Sequence, residues 1–206
     1  GERGIFNREA SVKQAAKNGR RETCYEFGTN PCSEIILRPN QFCNLSEVVI
    51  RATDGLEDIA RKVRVATILG TIQSTYTNFP YLRKVWTTNT EAERLLGVSL
   101  TGIMDNPLMT MDNEGLSDTL EYLKDVAVTT NADWADRLSI PAATAISCVK
   151  PSGTVSQLVD SASGIHARHS PYYIRTVRGD NKDPLTQFMI DQGIPSEADV
   201  MKPDQT

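Results

Sequence analysis

The chain has only two histidines among its 206 residues, and several common signatures are missing altogether. No apolar run approaches the roughly 20 residues of a membrane-spanning helix, so no membrane partner is expected. There is no Gly-x-x-x-x-Gly-Lys-Ser/Thr loop, which removes the P-loop nucleotidases. No Cys-x-x-Cys pair occurs among Cys24, Cys32, Cys43 and Cys148, so neither a zinc ribbon nor a thioredoxin-like redox motif is expected. His166 and His169 lie three residues apart but are flanked by Gly164 and Pro171 and have no third ligand in view, so no metal is expected there. A net charge of −4 gives no basic face for a nucleic acid. The opening GERGIFNREA is not a secretory signal, which points to the cytoplasm and to reduced cysteines. The missing initiator Met and the polar ending MKPDQT are what a fragment of a longer chain would show.

What remains is an ordinary core-forming composition, 39% hydrophobic and 23% charged. Residues 9–18 predict a short helix stopped by Gly19. The Gly-, Pro- and Asn-rich stretch that follows predicts loops between short strands at 35–37 and 46–50. From Asp54, read as a cap, Leu56, Ile59, Val63, Ala66 and Leu69 recur at helical steps. A helical turn at 91–96, a buried strand at 97–103 and a long amphipathic helix over 115–138 come next. That helix places Leu116, Leu120, Leu123, Val126, Trp134 and Leu138 on one side. A small-residue strand at 143–149 leads through Lys150-Pro151-Ser152-Gly153 into a helix near Thr154. Residues 172–177 read as a strand, with Arg175 and Arg178 placed for a phosphate or a partner, and 184–192 as a helix before Gly193. Strands separated by long helices imply parallel pairing, hence an α/β sheet or barrel.

Three motifs carry chemistry. In Asn30-Pro31-Cys32-Ser33-Glu34 an amide, a thiol and a carboxylate alternate, and an extended segment would point all three the same way. Such a set suits a vicinal diol: Asn holds a hydroxyl, Glu takes its proton, and sulfur does redox or radical work. A turn around a structural cysteine fits the same spacing. Cys43, in Phe42-Cys43-Asn44-Leu45, lies eleven positions after Cys32, and Arg38-Pro39-Asn40 supplies a turn that could fold the two sulfurs together. A core cysteine is the alternative there. Lys150-Pro151-Ser152-Gly153-Thr154-Val155-Ser156 places free N–H groups and hydroxyls where a strand meets a helix, which is either an anion site or a plain capped turn.

Together, Asn-Pro-Cys-x-Glu, Phe-Cys-Asn-Leu and Lys-Pro-Ser-Gly-Thr-Val-Ser in this order resemble ribonucleotide reductases. The eleven-residue cysteine spacing and SGIHARHSPYYIRTVR are most similar to the adenosylcobalamin-dependent (class II) monomeric branch, which acts on ribonucleoside triphosphates. The resemblance implies that residues 1–206 form part of a ten-stranded α/β barrel, with a central finger loop bearing the radical cysteine. Cys32 would carry the thiyl radical, Glu34 would act as base and Asn30 would hold the ribose. Cys43 would be one of two reducing thiols, reset by thioredoxin or a similar dithiol. Pro151, Ser152, Gly153, Thr154 and Val155 would hold the substrate phosphates. The family's other reducing cysteine lies upstream and has no match here, so Cys24 and Cys148 are read as structural. The cobalamin-contacting, allosteric and C-terminal shuttle parts have no counterpart either. Two other readings fit the residues: a diphosphate reductase subunit served by a separate metal-bearing subunit, and a non-catalytic nucleotide-binding module.

Overall fold

The computed structural model describes residues 4–110 and 115–206. The chain divides into two compact units, one ending at Arg168 and the other His169–Thr206. The first holds the expected mixed α/β fold. In chain order it comprises α1 (Arg8–Ala16), β1 (Gly28–Thr29), β2 (Ile36–Leu37), β3 (Asn44–Val49), α2 (Leu56–Gln73), α3 (Lys84–Glu93), β4 (Leu96–Thr101), α4 (Pro107–Thr110), α5 (Leu116–Leu138) and α6 (Val155–Leu158).

β1 and β2 form an antiparallel hairpin in which Gly28 faces Leu37 and Thr29 faces Ile36. β3 and β4 pair in parallel from Asn44 opposite Leu96 to Val49 opposite Thr101. The segment 143–148 adds to the other edge of β4 as the small-residue run predicts. Leu96 and Val98 donate to the carbonyls of Ala145 and Ile146, and Cys148 donates to that of Val98. Parallel neighbours with intervening helices are what the pattern of long helices between short strands requires.

One face of this sheet is apolar. Val48, Ile50, Leu96 and Val98 pack with Ile59, Ala60, Val63 and Ala66 of α2 and with Leu123 and Ala127 of α5. Each fully buried Val, Leu or Ile contributes about 1.5–3 kcal/mol. Polar groups lock the same layer. Asn131 of α5 donates to Thr71 Oγ1 of α2 at 2.9 Å and accepts from Ala143 N at 2.8 Å, which ties both helices to the edge strand.

Several sequence expectations need correction. Asp54 does not cap α2: its carboxylate takes Arg51 N at 2.7 Å and Lys62 Nζ at 2.5 Å, while Asp58 accepts from the N–H of Gly55 at the cap. Leu69 is 60% exposed, because the next residue, Gly70, is the one that meets Leu96. The turn expected at 91–96 is the end of a longer helix, α3, which starts at Lys84. Its Thr- and Asn-rich start has weak helix propensity, and packing of Trp86 on Phe42 (centroids 4.7 Å apart) supplies what propensity lacks. Leu120, placed on the buried side of α5, is 43% exposed.

In the second unit, α7 (Pro184–Asp191) is the predicted helix, with Gly193 beyond it at φ +81°. The strand expected at 172–177 is not formed, and those residues are exposed. Arg178 is engaged by Asp199 at 2.5 Å. Among the described residues, no helix is long and apolar enough to cross a membrane.

The packing generates a direct test. Ile59 is fully buried between sheet and helices, so Ile59→Ala should lower the unfolding free energy by about 2–5 kcal/mol, read as a lower urea midpoint with an unchanged slope.

Candidate functional site: a thiol hairpin over the polar face of the sheet

The Asn30–Glu34 motif forms the tip of the β1–β2 hairpin, not the extended run expected. Ser33 N donates to the Asn30 carbonyl at 2.9 Å, Asn30 Oδ1 accepts from Ile35 N at 3.1 Å, and Asn30 N reaches the Ile35 carbonyl at 3.3 Å. Ser33 adopts φ +63°, which breaks the alternation of faces. The cause was visible in the residues. Asn followed by Pro is a strong turn initiator, with Pro presetting the second position and Asn accepting hydrogen bonds back. The result puts Cys32 at the exposed tip, with Glu34 returning inward.

The second expected turn is present. Asn40 sits at φ +56°, and Gln41 Oε1 accepts from Arg38 N at 2.8 Å. It reverses the chain into β3, so that half-buried Cys43 stands just before that strand.

What seats the hairpin is a missing side chain. A Cβ on Gly97 of β4 would collide with Leu45 Cδ2 and lie 3.1 Å from Ile35 Cδ1 and 3.3 Å from Cys148 Sγ. Leu45 of β3, Ile35 of the hairpin and the Cys148 sulfur therefore converge above that glycine, on the face opposite the apolar core. Glu47 shares the face through strand alternation from Leu45.

The electrostatics of this face follow from its burial. Desolvation raises the Cys43 thiol above its ordinary value, and the Glu34 carboxylate adds to the rise. Burial also pushes the Cys148 thiol up to about 12, with further contributions from Glu34 and Cys43. Glu34, Cys43 and Cys148 are thus close enough to sense one another's charge. Buried oxygens of Glu34 (Oε2) and Glu47 (Oε1) have no protein partner among the described residues. Such acceptors cost free energy unless a donor reaches them.

Behind the hairpin lies a buried ionic cluster that no motif announced. Glu93, 1% exposed at the end of α3, accepts from Arg21 Nε and Nη2, both at 2.8 Å, from Arg38 at 2.9 Å and from Gln41 at 2.6 Å. Burial works to raise its pKa, but the hydrogen bonds from Arg21 and Gln41 and the two guanidinium charges outweigh it and hold the carboxyl below its usual range. Arg38 also stacks on Tyr25, with its guanidinium carbon 3.4 Å from the ring centroid.

The loop 150–156 is a strand-to-helix turn, as predicted. Ser152 is 2% exposed, and its hydroxyl accepts from Ser156 N at 3.1 Å, so that hydroxyl is engaged in holding the turn. Its carbonyl is taken by Ser163 Oγ at 2.7 Å and by Ser156 Oγ. Pro151, Gly153, Thr154 and Val155 remain exposed, leaving the outer rim of the turn open. The loop is braced from below, where Thr101 Oγ1 accepts from Gly164 N at 2.8 Å and donates to the Ala162 carbonyl at 3.1 Å.

The sequence singles out Asn30, Cys32, Glu34, Cys43 and the 151–155 loop. It passes over Gly97 and Glu93 and sets Cys148 aside as structural. Only Gly97 left a trace, as a glycine within an otherwise apolar strand, which marks close approach of a neighbour.

No family model matches the chain. It is 30% identical over 98% of its length to an adenosylcobalamin-dependent ribonucleoside-triphosphate reductase of Lactobacillus gasseri, of which it covers 31%. It is 29% identical over 87% of its length to the protein of the same name from Euglena gracilis, covering 24% of it. A crystal structure of a B12-dependent (class II) ribonucleotide reductase superposes with a TM-score of 0.68 at 24% identity, over 91% of this chain and 29% of that one. The chain therefore spans between about a quarter and a third of the length of these proteins.

Two outcomes test the site's geometry. Because Cys24 and Cys32 are exposed while burial holds the Cys43 and Cys148 thiols protonated, iodoacetamide at pH 8 should label the first pair fastest. A raised thiol value means the thiolate appears only as pH climbs, so Cys148 labelling should keep accelerating toward pH 12. Gly97→Ala should cost about 1–3 kcal/mol by overpacking, with increased Cys148 labelling as Leu45 and Ile35 are pushed off the sheet.

Proposed function

We propose, on the premise that the chain is related to a segment of the adenosylcobalamin-dependent ribonucleoside-triphosphate reductases, that residues 1–206 form part of the catalytic barrel of such an enzyme. The hairpin would be the finger loop that carries the radical cysteine into a ten-stranded α/β barrel. The observation that supports this most is that Asn30, Cys32 and Glu34 share one hairpin and that the Glu34 carboxylate lies within electrostatic reach of the Cys43 thiol.

In this reading Cys32, as a thiyl radical, takes the hydrogen from C3′ of the ribose and later returns it. Glu34 removes the proton of the 3′-hydroxyl, and its unpartnered buried oxygen has the acceptor capacity for that role. The 2′-hydroxyl then leaves as water. Cys43 and a second thiol supply the two electrons and become a disulfide, so that ribonucleotide and two thiols give deoxyribonucleotide, disulfide and water. Thioredoxin or a similar dithiol resets the pair. Asn30 holds the ribose, although its Oδ1 already accepts from Ile35 N, so its amide N–H groups do the holding. The substrate triphosphate lies along Pro151, Ser152, Gly153, Thr154 and Val155. With the Ser152 hydroxyl engaged in the turn, the N–H groups on the exposed rim carry this contact.

Adenosylcobalamin supplies the means of making the radical. The exposed tip suits that cofactor, since Cys32, the residue it would act on, can be reached from outside the fold. The enzyme would work in the cytoplasm, where thiols stay reduced. The two other readings, a diphosphate reductase subunit and a non-catalytic module, have no observation in their favour.

The decisive experiment is made in the full-length protein with adenosylcobalamin and a dithiol. Cys32→Ser should abolish deoxynucleotide formation, and Cys43→Ser should leave hydrogen exchange at C3′ while stopping reduction. Deoxynucleotide formation by Cys32→Ser at near the unsubstituted rate would end this reading.

A further inference from the structure

Glu93 touches none of the reacting groups assigned above, yet it is among the most thoroughly coordinated side chains among the described residues. At 1% exposure it gathers Arg21, Arg38 and Gln41 onto its two oxygens. What those three residues hold in turn gives the arrangement its meaning. Arg21 Nη1 donates to the Ile36 carbonyl at 2.8 Å, and Ile36 begins the return strand of the hairpin whose tip bears Cys32. Gln41 accepts from Arg38 N at 2.8 Å and also donates to the Asn89 carbonyl at 3.1 Å. It stands two positions before Cys43 and so governs the entry into β3. Glu93 itself is fixed to the edge segment, because its carbonyl accepts from Thr144 N at 3.0 Å, and to the end of α2, because the neighbouring Arg94 donates to the Ser74 carbonyl at 2.6 Å.

One carboxylate thus grips both arms of the loop that separates the two sulfurs, the β2 arm through Arg21 and Arg38 and the β3 arm through Gln41. Pure stabilisation accounts poorly for such a device. A buried ion pair gains little over apolar packing of the same volume, whereas it fixes position through several directed bonds at once. The chain between Cys32 and Cys43 contains Pro39 and a left-handed Asn40, and its antiparallel pairing covers only two residues on each side. It has little other means of holding a fixed distance between its ends.

We infer that Glu93 is a positioning residue that sets the Cys32 hairpin and the Cys43 arm relative to each other. This inference rests on the roles proposed for the two cysteines, but its primary test does not depend on turnover. In the full-length protein, a short bismaleimide should link Cys32 to Cys43, read by peptide mapping. Glu93→Gln, which keeps the shape and removes the charge that holds two arginines, should cut the yield of that link at least severalfold. Single labelling of Cys32 should be unchanged. In turnover, kcat should fall roughly ten- to a hundredfold, as expected when reacting groups shift by about an ångström, with KM for the nucleotide unchanged because the phosphate loop is untouched.

A Glu93→Gln protein that forms the link at the unsubstituted yield, or that loses activity through KM alone, overturns the inference. So does failure of the unsubstituted protein to form the link, since the thiols would then share no site, while the Cys32→Ser result would still judge the reaction separately. Should Glu93→Gln not fold, Gln41→Leu takes its place. It severs only the arm toward Cys43, leaves the Arg21 bridge to Ile36 intact, and must show the same loss of linkage with Cys32 labelling preserved.

Discussion

The arrangement of this site depends on one close contact, the meeting of Leu45, Ile35 and the Cys148 sulfur above Gly97. Only a residue without a Cβ leaves room there. The contact joins three separate pieces of chain: the strand that follows Cys43, the hairpin that carries Asn30, Cys32 and Glu34, and the edge segment that runs into the 150–156 loop. Packing in protein interiors is dense enough that a single methyl is felt. The glycine therefore acts as a seat whose depth sets how far the hairpin sinks toward the sheet. It also explains how a hairpin with only two paired residues per strand keeps its place, since a short isolated hairpin is marginal in water.

The sheet separates two tasks. Its apolar face, against α2 and α5, supplies the hydrophobic stabilisation and contains none of the proposed reacting groups. Its other face carries thiols and carboxylates, and that face is poor in satisfied partners, with buried oxygens of both Glu34 and Glu47 lacking a donor among the described residues. A protein can tolerate such costs where other layers over-determine the backbone. Here that support comes from the Asn131–Thr71 relay beneath the sheet and the Glu93 cluster beside it, both built from fully directed hydrogen bonds.

What the sequence made legible follows a physical line. Helices α2 and α5 were readable because a long amphipathic stripe repeats its message over several turns, α1 because helix-favouring residues run up to the Gly19 stop, and the parallel strands because small and apolar runs alternate with those helices. The 150–156 turn was legible because Pro and Gly punctuate it. Helix α3 was mislocated since its Thr- and Asn-rich start carries little propensity and depends on Trp86 meeting Phe42, a contact between residues 44 positions apart. The Asn30–Glu34 motif is recognisable by its residues, but strand alternation does not give its shape, because Asn-Pro turns the chain there. Cys148 and Glu93 could not be assigned from local pattern at all. Their significance arises from neighbours brought by the fold from 50 to 115 positions away in the chain, as with Gln41 for Glu93 and Glu34 for Cys148.

The protonation state of the buried thiols bears on which chemistry this face can perform. A cysteine nucleophile works as a thiolate, and proteins that use one lower its pKa with a histidine, a lysine or a helix N-terminus. Cys43 and Cys148 show the opposite tuning: burial raises both, and the nearby Glu34 carboxylate raises them further. Both histidines are exposed. A thiol kept protonated in a buried setting is a poor attacking group. It does hold the hydrogen that reduction must deliver, and a carboxylate beside it is placed to exchange protons with a departing hydroxyl. The same electrostatics that argue against a thiol-dependent hydrolase therefore favour a site in which sulfur gives up hydrogen and electrons together.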